Sequence, residues 1–364
     1  MIRIPVTTPS RSYEVLIGRG LLARAGECLS PLLGNRKAFV ITTPPVKRCW
    51  SKPLLQSLKA ARIETTLLEM PDGERAKRLS TLEKLADQLV KQSADRGAIL
   101  IALGGGVVGD VTGFLASVYM RGVDVIQVPT TVLAQVDAAI GGKTGVNLVS
   151  GKNLLGTFHQ PRAVLVDPAV LATLPKRQYR AGLYESLKCG IIGDPGLFQL
   201  FEEKHKEILA RDASVVEKVI ADSVRLKASV VSADEKEGGL RQVLNLGHTI
   251  GHALEAETQY KSLLHGEAVG WGMVAATYIA LSSGKLDSVT AGRIMNAVLG
   301  LGELPRMNVN TSNIMKRLKF DKKTRQGVVH FILPREIGKV EITSEVGEAV
   351  VKAAVDEIRK LARN

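Results

Sequence analysis

Three of the six histidines in this sequence fall within one short window, residues 241–267. His248 and His252 lie four residues apart in a stretch that predicts a helix, so both rings project from one face. His265 follows just before Gly266, which indicates a helix boundary. A histidine pair with a third donor is typical of a catalytic zinc site, since neutral imidazole is a common metal ligand. The window therefore predicts a metal centre.

A carboxylate ligand is expected from Glu185, which lies in another predicted helix. The same helix places Lys188 one turn on, beside the glutamate. A single helical histidine more often lies half-buried and binds nothing. Three histidines with a nearby carboxylate favour a metal site instead.

A glycine turn, GGGVVGD, follows the predicted strand Ala98–Leu103 and opens a helix. Gly104, Gly106 and Gly109 satisfy the dinucleotide-binding spacing G-x-G-x-x-G in the strand-to-helix context that makes it informative. Glycines let a pyrophosphate approach the backbone, and the helix N-terminus offers free N–H groups. A glycine-rich helix entry can also serve packing alone, but the pattern favours a dinucleotide. Glu74 is a candidate ribose contact, or merely an acid at a helix N-terminus.

Polar residues are dense between this turn and Pro175. The set includes Thr130, Thr131, Asp137, Lys143, Lys152 and Asn153. Their density predicts a polar wall that faces an anion. Further along the chain, cations are added by Lys227, Arg241, Lys322 and Lys323. Each of these four cations, taken alone, is typical of a solvated surface charge.

The chain of 364 residues is long enough for two domains. Up to about residue 173, short apolar strands alternate with helices, which predicts a parallel sheet covered on both faces. The predicted strands are Ser12–Gly18, Lys37–Thr42, Ile63–Leu68, Ala98–Leu103, Val123–Val128 and Ala163–Asp167. Long amphipathic helices then follow, among them 213–233, with one hairpin-like piece at Val328–Leu333. We predict an α/β nucleotide-binding domain at 1–174 and a mainly helical domain at 175–364 that carries the metal and substrate site.

The formal charge of +13 raises the question of a nucleic-acid partner. The basic residues are spread along the chain without a basic tail or aromatic–basic alternation, so nucleic-acid binding is disfavoured. A basic surface equally steers a small polyanionic substrate. Apolar runs are too short to span a membrane, and Cys28, Cys49 and Cys189 are too few and scattered for a disulfide framework. We expect a cytoplasmic protein.

A series of motifs resembles one family, 3-dehydroquinate synthase, from about residue 13 to 335. The motifs, in order, are GGGVVGD, YMRG, QVPTT-LAQVD, GGKTGVN, GKNLLG-FHQP, AGL-E-LK-GII, LNLGHT-GHALE, LHGEAV-GM and DKK. The resemblance implies a two-domain enzyme that holds NAD and a zinc-type divalent metal, Zn²⁺ or Co²⁺. It implies conversion of 3-deoxy-D-arabino-heptulosonate 7-phosphate to 3-dehydroquinate and phosphate, the second step toward chorismate.

The resemblance also assigns residues. The implied metal ligands are Glu185, His248 and His265, so His252 becomes a contact to the substrate phosphate. The implied substrate and catalytic positions are Asp137, Lys143, Asn153, Lys188, Lys227, Arg241, Asn245, His252, and one or both of Lys322 and Lys323. The implied cofactor positions are Glu74, Lys77, Gly105, Gly106, Asp110, Thr130, Thr131, Lys143 and Lys152. Arg121 is implied to reach the substrate phosphate of a neighbouring subunit, and hence a homodimer.

One departure from the family pattern falls after the second predicted strand. The family usually has Thr-Asp-x-Asn-Val there, whereas this chain has Thr43 and Pro45 in place of the Asp and Asn. The change concerns the adenine end of the cofactor and leaves the reacting end unaffected.

The implied reaction oxidises the substrate transiently with NAD, eliminates phosphate, returns the hydride and closes the ring by an aldol step. Cations at both ends of the substrate suit its carboxylate and phosphate. A rival hypothesis is a sugar phosphate cyclase of the same fold acting on sedoheptulose 7-phosphate or glucose 6-phosphate. Retention of Arg241, Asn245 and the Lys322–Lys323 pair favours the acid substrate. A metal- and NAD-dependent polyol dehydrogenase is a second rival, and a zinc-bound basic protein that binds nucleic acid is a third.

Overall fold

The computed structural model describes residues 1–149, 151–320 and 329–363. Its contacts divide the chain into two compact units. The first comprises Met1–Pro175 and Val216–Lys236, and the second comprises Lys176–Val215 and Glu237–Asn364. The helix predicted at 213–233 therefore lies mostly in the first unit, and the predicted boundary between residues 174 and 175 stays a prediction.

The first unit is an α/β structure. Its strands are β1 Ile2–Thr7, β2 Ser12–Ile17, β3 Ala38–Thr42, β4 Thr65–Glu69, β5 Ile99–Gly104, β6 Asp124–Pro129, β7 Lys143–Leu148, β8 Gly151–Phe158 and β9 Ala163–Val166. Its helices are α1 Ala25–Leu33, α2 Pro44–Val46, α3 Lys52–Ala60, α4 Leu79–Lys91 and α5 Gly106–Val118. The six predicted strands are all present, with ends that differ by one or two residues.

In the described chain, seven strands form one sheet in the order β1-β2-β9-β6-β5-β3-β4. The pairs from β2 through to β4 are parallel, as predicted. At the edge, β1 pairs antiparallel with β2, which makes the sheet mixed. A separate antiparallel hairpin is formed by β7 and β8.

Helices cover both faces of the sheet. On one face, Phe39, Leu100 and Val125 pack with apolar residues of α4 and α5. On the other face, Val40 and Ile101 pack with residues of α1 and α3. Both faces are buried because the central strands read as continuous apolar runs, as in Ile99–Gly104.

The second unit is mainly helical, as predicted. Its elements are α6 Lys176–Gly193, α7 Pro195–Leu209, α8 Ala213–Ala233 (which continues into the first unit), α9 His248–Glu257, α10 His265–Ser282, α11 Ser288–Gly300, α12 Thr311–Phe320, β10 Phe331–Glu336, β11 Lys339–Thr343 and α13 Glu348–Leu361. The buried helix α10 lies at the centre and packs against α6, α9, α11 and α13. Within the described residues, no helix combines the length and apolar character that a membrane span needs.

Candidate functional site

Three helices of the second unit bring the predicted metal ligands together. Glu185 lies within α6, whereas His248 and His265 are the first residues of α9 and α10. Glu185 is 1% exposed and His248 8% exposed. The two imidazole centroids are 5.2 Å apart. One donor atom from each of the three residues lies within 4.8 Å of the other two, close enough for the three to hold one metal ion.

Glycines next to the ligands allow this close approach of helices. A Cβ on Gly266 would lie 1.8 Å from the carbonyl oxygen of Ala181, one turn before Glu185. A Cβ on Gly272 would lie 1.8 Å from the carbonyl oxygen of Gly247, the residue before His248. Any side chain at either position would therefore separate α10 from a segment that carries a ligand.

The distances between donor atoms fit a metal ion. Glu185 Oε1 lies 3.6 Å from His248 Nε2 and 3.5 Å from His265 Nε2. It is buried and has no hydrogen-bond partner among the described residues. Ligands that bind one zinc ion tetrahedrally, each at about 2.0–2.2 Å, lie about 3.3–3.6 Å from one another. Glu185 Oε1 is therefore separated from each histidine nitrogen as two ligands of one cation are, and such a cation would satisfy the buried oxygen.

The charges around Glu185 keep it ionised. Its other oxygen, Oε2, accepts a hydrogen bond from the Lys188 ammonium, and both side chains are buried. Burial alone would raise the pKa of Glu185, but Lys188 and His265 outweigh it and hold the pKa at about 2. Glu185 is thus a carboxylate at neutral pH, the form that binds a metal.

His252 belongs to the same cluster of rings. Its centroid lies 5.3 Å from that of His248 and 5.9 Å from that of His265. Just before α9, a 3₁₀ helix carries Arg241, which is 1% exposed, and Asn245. The Asn245 amide donates a 2.7 Å hydrogen bond to Glu237. These predicted substrate residues all lie in the second unit with the metal ligands.

In the first unit, the turn after β5 places Gly105 at the N-cap of α5 and Gly106 as its first residue. Side chains at Gly104 and Gly109 would collide with Val108 and Gln127, so these two glycines serve packing. Among the described residues, a Cβ on Gly106 would meet only Ala138, at 3.4 Å, so the space beside this glycine is open. We call Gly105, Gly106 and the backbone around them the cradle. It lies at the N-terminus of a 13-residue helix and fits a dinucleotide phosphate.

The neighbouring strand β6 ends beside the same turn. The backbone N–H of Thr130 donates to the carbonyl of Gly104 at 2.9 Å. Thr131 lies next to Gly105, since a Cβ on that glycine would be 3.0 Å from the Thr131 methyl carbon. Two predicted cofactor residues are therefore held at the carboxyl edge of the sheet, where α/β folds bind ligands.

A buried network joins further predicted cofactor and substrate residues. The Lys77 ammonium donates to Asp110 and to the side-chain oxygen of Asn153. Burial alone would lower the pKa of Lys77, but Asp110 and Glu74 raise it above its ordinary value. Lys77 is thus a buried cation that fixes a carboxylate and an amide.

Asn147, which the sequence analysis did not single out, holds this network together. Its amide donates to Glu74 Oε1 at 2.7 Å, and its side-chain oxygen accepts from the backbone N–H of Asn153 at 2.9 Å. Its own N–H donates to the carbonyl of Lys77 at 2.8 Å. The only available signal was its position in the GGKTGVN motif.

Lys227 lies on the part of α8 that belongs to the first unit. Its ammonium donates to the backbone carbonyl of Asp137 at 2.6 Å and also to the Asp137 carboxylate. Lys143 begins β7, and Lys152 lies at the start of β8. Predicted Lys322 and Lys323 lie outside the described residues.

Arg121 is exposed at the end of a strained turn. Met120 and Arg121 have φ values of 48° and 71°, in the left-handed region, and Gly122 follows with φ 124°. The turn precedes β6, whereas Thr130 follows it, so Arg121 and Thr130 lie at opposite ends of that strand. At the departure from the family pattern, Thr43 is the N-cap of α2.

The chain was compared with known proteins. A family model described as 3-dehydroquinate synthase N-terminal matches residues 67–181, and one described as 3-dehydroquinate synthase C-terminal matches residues 182–324. A 3-dehydroquinate synthase of Koribacter versatilis is 55% identical over 363 residues, which is 100% of this chain and 99% of the relative. The chain belongs to the 3-dehydroquinate synthase family. The resemblance predicted from the motifs is thereby confirmed.

Solved structures share the fold of this 3-dehydroquinate synthase family member. One is 2-epi-5-epi-valiolone synthase from Streptomyces hygroscopicus subsp. jinggangensis with NAD⁺ and Zn²⁺ bound. It has a TM-score of 0.89 and 30% identity, and the match covers 96% of this chain and 98% of that chain. Another is 2-deoxy-scyllo-inosose synthase complexed with carbaglucose-6-phosphate, NAD⁺ and Co²⁺. Its TM-score is 0.86 at 26% identity, with 99% of each chain covered. The predicted fold class is confirmed.

Proposed function

We propose that this protein converts 3-deoxy-D-arabino-heptulosonate 7-phosphate to 3-dehydroquinate and phosphate, using NAD and a divalent metal, Zn²⁺ or Co²⁺. The observation that carries the proposal is the buried Glu185–His248–His265 cluster, whose donor atoms are spaced for one cation. It occurs in a chain that is 55% identical to a protein named 3-dehydroquinate synthase.

Separate parts of the chain would hold the two groups. Glu185, His248 and His265 would bind the metal. The NAD would be bound by the cradle at the start of α5 and its neighbours, namely Glu74, Lys77, Gly105, Gly106, Asp110, Thr130, Thr131, Lys143 and Lys152. When bound, the metal would polarise the substrate hydroxyls and NAD would accept and return a hydride.

The residues of this chain have positioning and charge-balancing roles. Lys188 holds Glu185 through Oε2, which directs Oε1 toward the two histidines. Asp137 fixes the Lys227 ammonium through two hydrogen bonds, so that the cation has a defined position. Lys77 fixes the Asn153 side chain in the same way. Such fixed polar groups stabilise developing charge without having to reorganise during the reaction.

The substrate carries a carboxylate and a phosphate, and the proposed contacts supply cations for both. The residues proposed to contact it are Asp137, Lys143, Asn153, Lys188, Lys227, Arg241, Asn245, His252 and one or both of Lys322 and Lys323. Arginine suits either anion because its planar fork forms paired hydrogen bonds.

This account is tested by comparing three substrates under identical metal and NAD concentrations. We expect phosphate release from 3-deoxy-D-arabino-heptulosonate 7-phosphate, and at least about 100-fold lower kcat/KM with sedoheptulose 7-phosphate or glucose 6-phosphate, which lack the carboxylate. Equal or greater turnover of either sugar phosphate would instead make the protein a cyclase of different specificity.

We further propose that the protein acts as a homodimer in the cytoplasm. The hairpin β7–β8 exposes Leu148, Leu154 and Phe158 by 36% or more of their surface, and Met120 beside Arg121 is 39% exposed. Exposed apolar side chains grouped on one element are typical of a surface that a partner covers. Arg121 itself is exposed, so its guanidinium is accessible to a second copy.

Mixing two inactive variants tests the dimer and the proposed role of Arg121 at the partner's site. Arg121→Ala and His248→Ala should each be nearly inactive alone. A heterodimer would have one site with both lesions and one site with neither, so random exchange should restore up to about a quarter of wild-type activity. No recovery, despite demonstrated subunit exchange, would place the action of Arg121 in its own subunit.

A further inference from the structure

A second buried carboxylate lies beside the metal cluster. Glu255 is on α9, seven residues after His248, and is 3% exposed. Its Oε2 lies 3.0 Å from Nδ1 of His265. Seven residues are about two helical turns, so Glu255 and His248 lie on the same face of α9. Glu255 therefore faces the cluster but contacts the opposite side of the His265 ring from Glu185.

Both proposed histidine ligands are held in the same way. His248 Nδ1 lies 3.1 Å from the carbonyl oxygen of Leu246, and His265 Nδ1 is bonded to Glu255. Both acceptors require a proton on Nδ1, which leaves the lone pair on Nε2. In each ring Nε2 faces Glu185 Oε1, at 3.6 Å and 3.5 Å. The two Nδ1 contacts thus select the tautomer that can bind a cation beside Glu185.

His252, Glu255 and His265 also offer donor atoms that lie within 4.8 Å of one another and could hold a metal. In that set, Glu255 and His265 are already 3.0 Å apart in a hydrogen bond. Glu185 Oε1 lies too far from either histidine nitrogen for a good hydrogen bond and is buried without a partner. The space for a cation is therefore beside Glu185. Glu255 contacts His265 on the side of the ring that faces away from this space.

We propose that Glu255 is a positioning residue that orients His265 through Nδ1 and raises the affinity of the site for its metal. The inference rests on the proposed function, because it assumes a metal bound by Glu185, His248 and His265. A carboxylate accepts a stronger hydrogen bond than a backbone carbonyl and makes the imidazole a better donor. His265 is thus the more strongly supported of the two histidines. Loss of such an outer contact typically costs about 10–100-fold in metal affinity.

Metal affinity is the direct test, measured by competition between the purified full chain and a chelator for Zn²⁺. We expect Glu255→Ala to weaken binding about 10–100-fold and Glu255→Gln, which keeps an acceptor, to weaken it less. The matched control is Glu257→Ala, which removes a carboxylate from the same helix. Glu257 is bonded to Asn313 and Arg317, away from the histidines. It should leave Zn²⁺ affinity unchanged.

A long-range ¹H–¹⁵N spectrum of the zinc-loaded chain checks the mechanism separately from folding. It should show Nδ1 of His265 protonated and Nε2 bound to metal, and the Nδ1 signal should shift in Glu255→Gln. If Glu255 had a purely structural role, the Nδ1 signal of His265 would be unchanged in a folded Glu255→Gln variant. That result would overturn the proposal.

Three further results would contradict the inference in distinguishable ways. Equal Zn²⁺ affinity for Glu255→Ala and wild type would remove the role of Glu255 and leave the proposed function intact. If His252→Ala lost the metal while His248→Ala kept it, then Glu255 would be a ligand of a metal held with His252 and His265. Absence of Zn²⁺ binding by the wild-type chain would overturn the proposed function itself, and this inference with it.

Discussion

Replacing Gly272 by alanine tests whether tight helix contacts set the spacing of the metal ligands. A Cβ at this position would lie 1.8 Å from the Gly247 carbonyl oxygen and 2.7 Å from the Gly247 carbonyl carbon. To reach even 3.0 Å, α10 and the segment before His248 must separate by about 1.2 Å, the difference between 3.0 and 1.8 Å. The atoms met are backbone atoms, so no side-chain rotation can relieve the clash.

Two opposing effects determine how much Gly272→Ala changes the free energy of unfolding. Glycine-to-alanine exchange inside a helix ordinarily stabilises by about 1 kcal/mol. Overpacking a close-packed interior costs about 1–3 kcal/mol, and a backbone-to-backbone clash belongs at the upper end. We therefore expect Gly272→Ala to lower the free energy of unfolding by about 2 kcal/mol. Displacement of His248 should also weaken metal binding, by about 10–100-fold, as for other losses of ligand orientation.

Urea unfolding and chelator competition measure the two effects. The control is Gly292→Ala in α11, because a Cβ there would have no neighbour within 4 Å in the described part of the chain beyond its own helix. That variant should be more stable than wild type by roughly 0.5–1 kcal/mol and should bind metal normally. If Gly272→Ala proved as stable as Gly292→Ala, or kept wild-type metal affinity, then the helix contact would not govern the ligand spacing.

Two further predictions concern single side chains. His248→Ala and His265→Ala should each weaken metal binding by more than about 100-fold, whereas His252→Ala should keep the metal and lose turnover. The metal content of each variant is measured after dialysis. Loss of metal from His252→Ala would refute the ligand assignment. The second prediction concerns Glu235, which accepts hydrogen bonds from Thr8, Ser10 and Gln160. Burial alone would raise the pKa of Glu235, but these hydrogen bonds hold it below the ordinary value of 4.5. Because the folded-state pKa is lowered, the stability that Glu235 contributes is present above about pH 5 and is lost as pH falls through its folded-state pKa. Urea unfolding should therefore show wild type more stable than Glu235→Gln at neutral pH, with the difference closing in acid, and a difference that grew in acid would contradict this.

Much of the fold was predictable because periodicity is a local property. The six predicted strands are found with small shifts in their ends, and helix α8 has the predicted bounds. The edge strand β1 and the hairpin β7–β8 were not predicted. Neither reads as a continuous apolar run: β8 is largely exposed, and β1 alternates buried and exposed residues. Helix α12 was missed as well.

The ligand set shows where sequence reasoning stops. Helical spacing pairs His248 with His252, and their rings do lie close together. The structure, however, directs Glu185 Oε1 to His248 and His265, which lie 17 residues apart in the sequence. Three histidines are clustered, and only two of them face the Glu185 carboxylate. The way in which α6, α9 and α10 approach one another decides which two these are. That approach is set by the contacts at Gly266 and Gly272, which no local pattern reveals.

The role of Glu255 was missed for a related reason. Its spacing from His248 places it on the same helical face, and this was the available signal. Its partner His265 is on another helix, and the hydrogen bond between them depends on tertiary packing. Likewise, the attachment of most of α8 to the first unit depends on contacts such as Lys227 to Asp137, which are distant in sequence.

The proposed reaction is tested most directly by one incubation. The metal-loaded protein is mixed with 3-deoxy-D-arabino-heptulosonate 7-phosphate and a small amount of NAD, and inorganic phosphate and NADH absorbance are followed together. We predict many phosphates released per NAD with no accumulation of NADH, because the hydride returns to the substrate in every cycle. One NADH formed per phosphate released, or no phosphate release from a chain that carries both metal and NAD, would contradict the account.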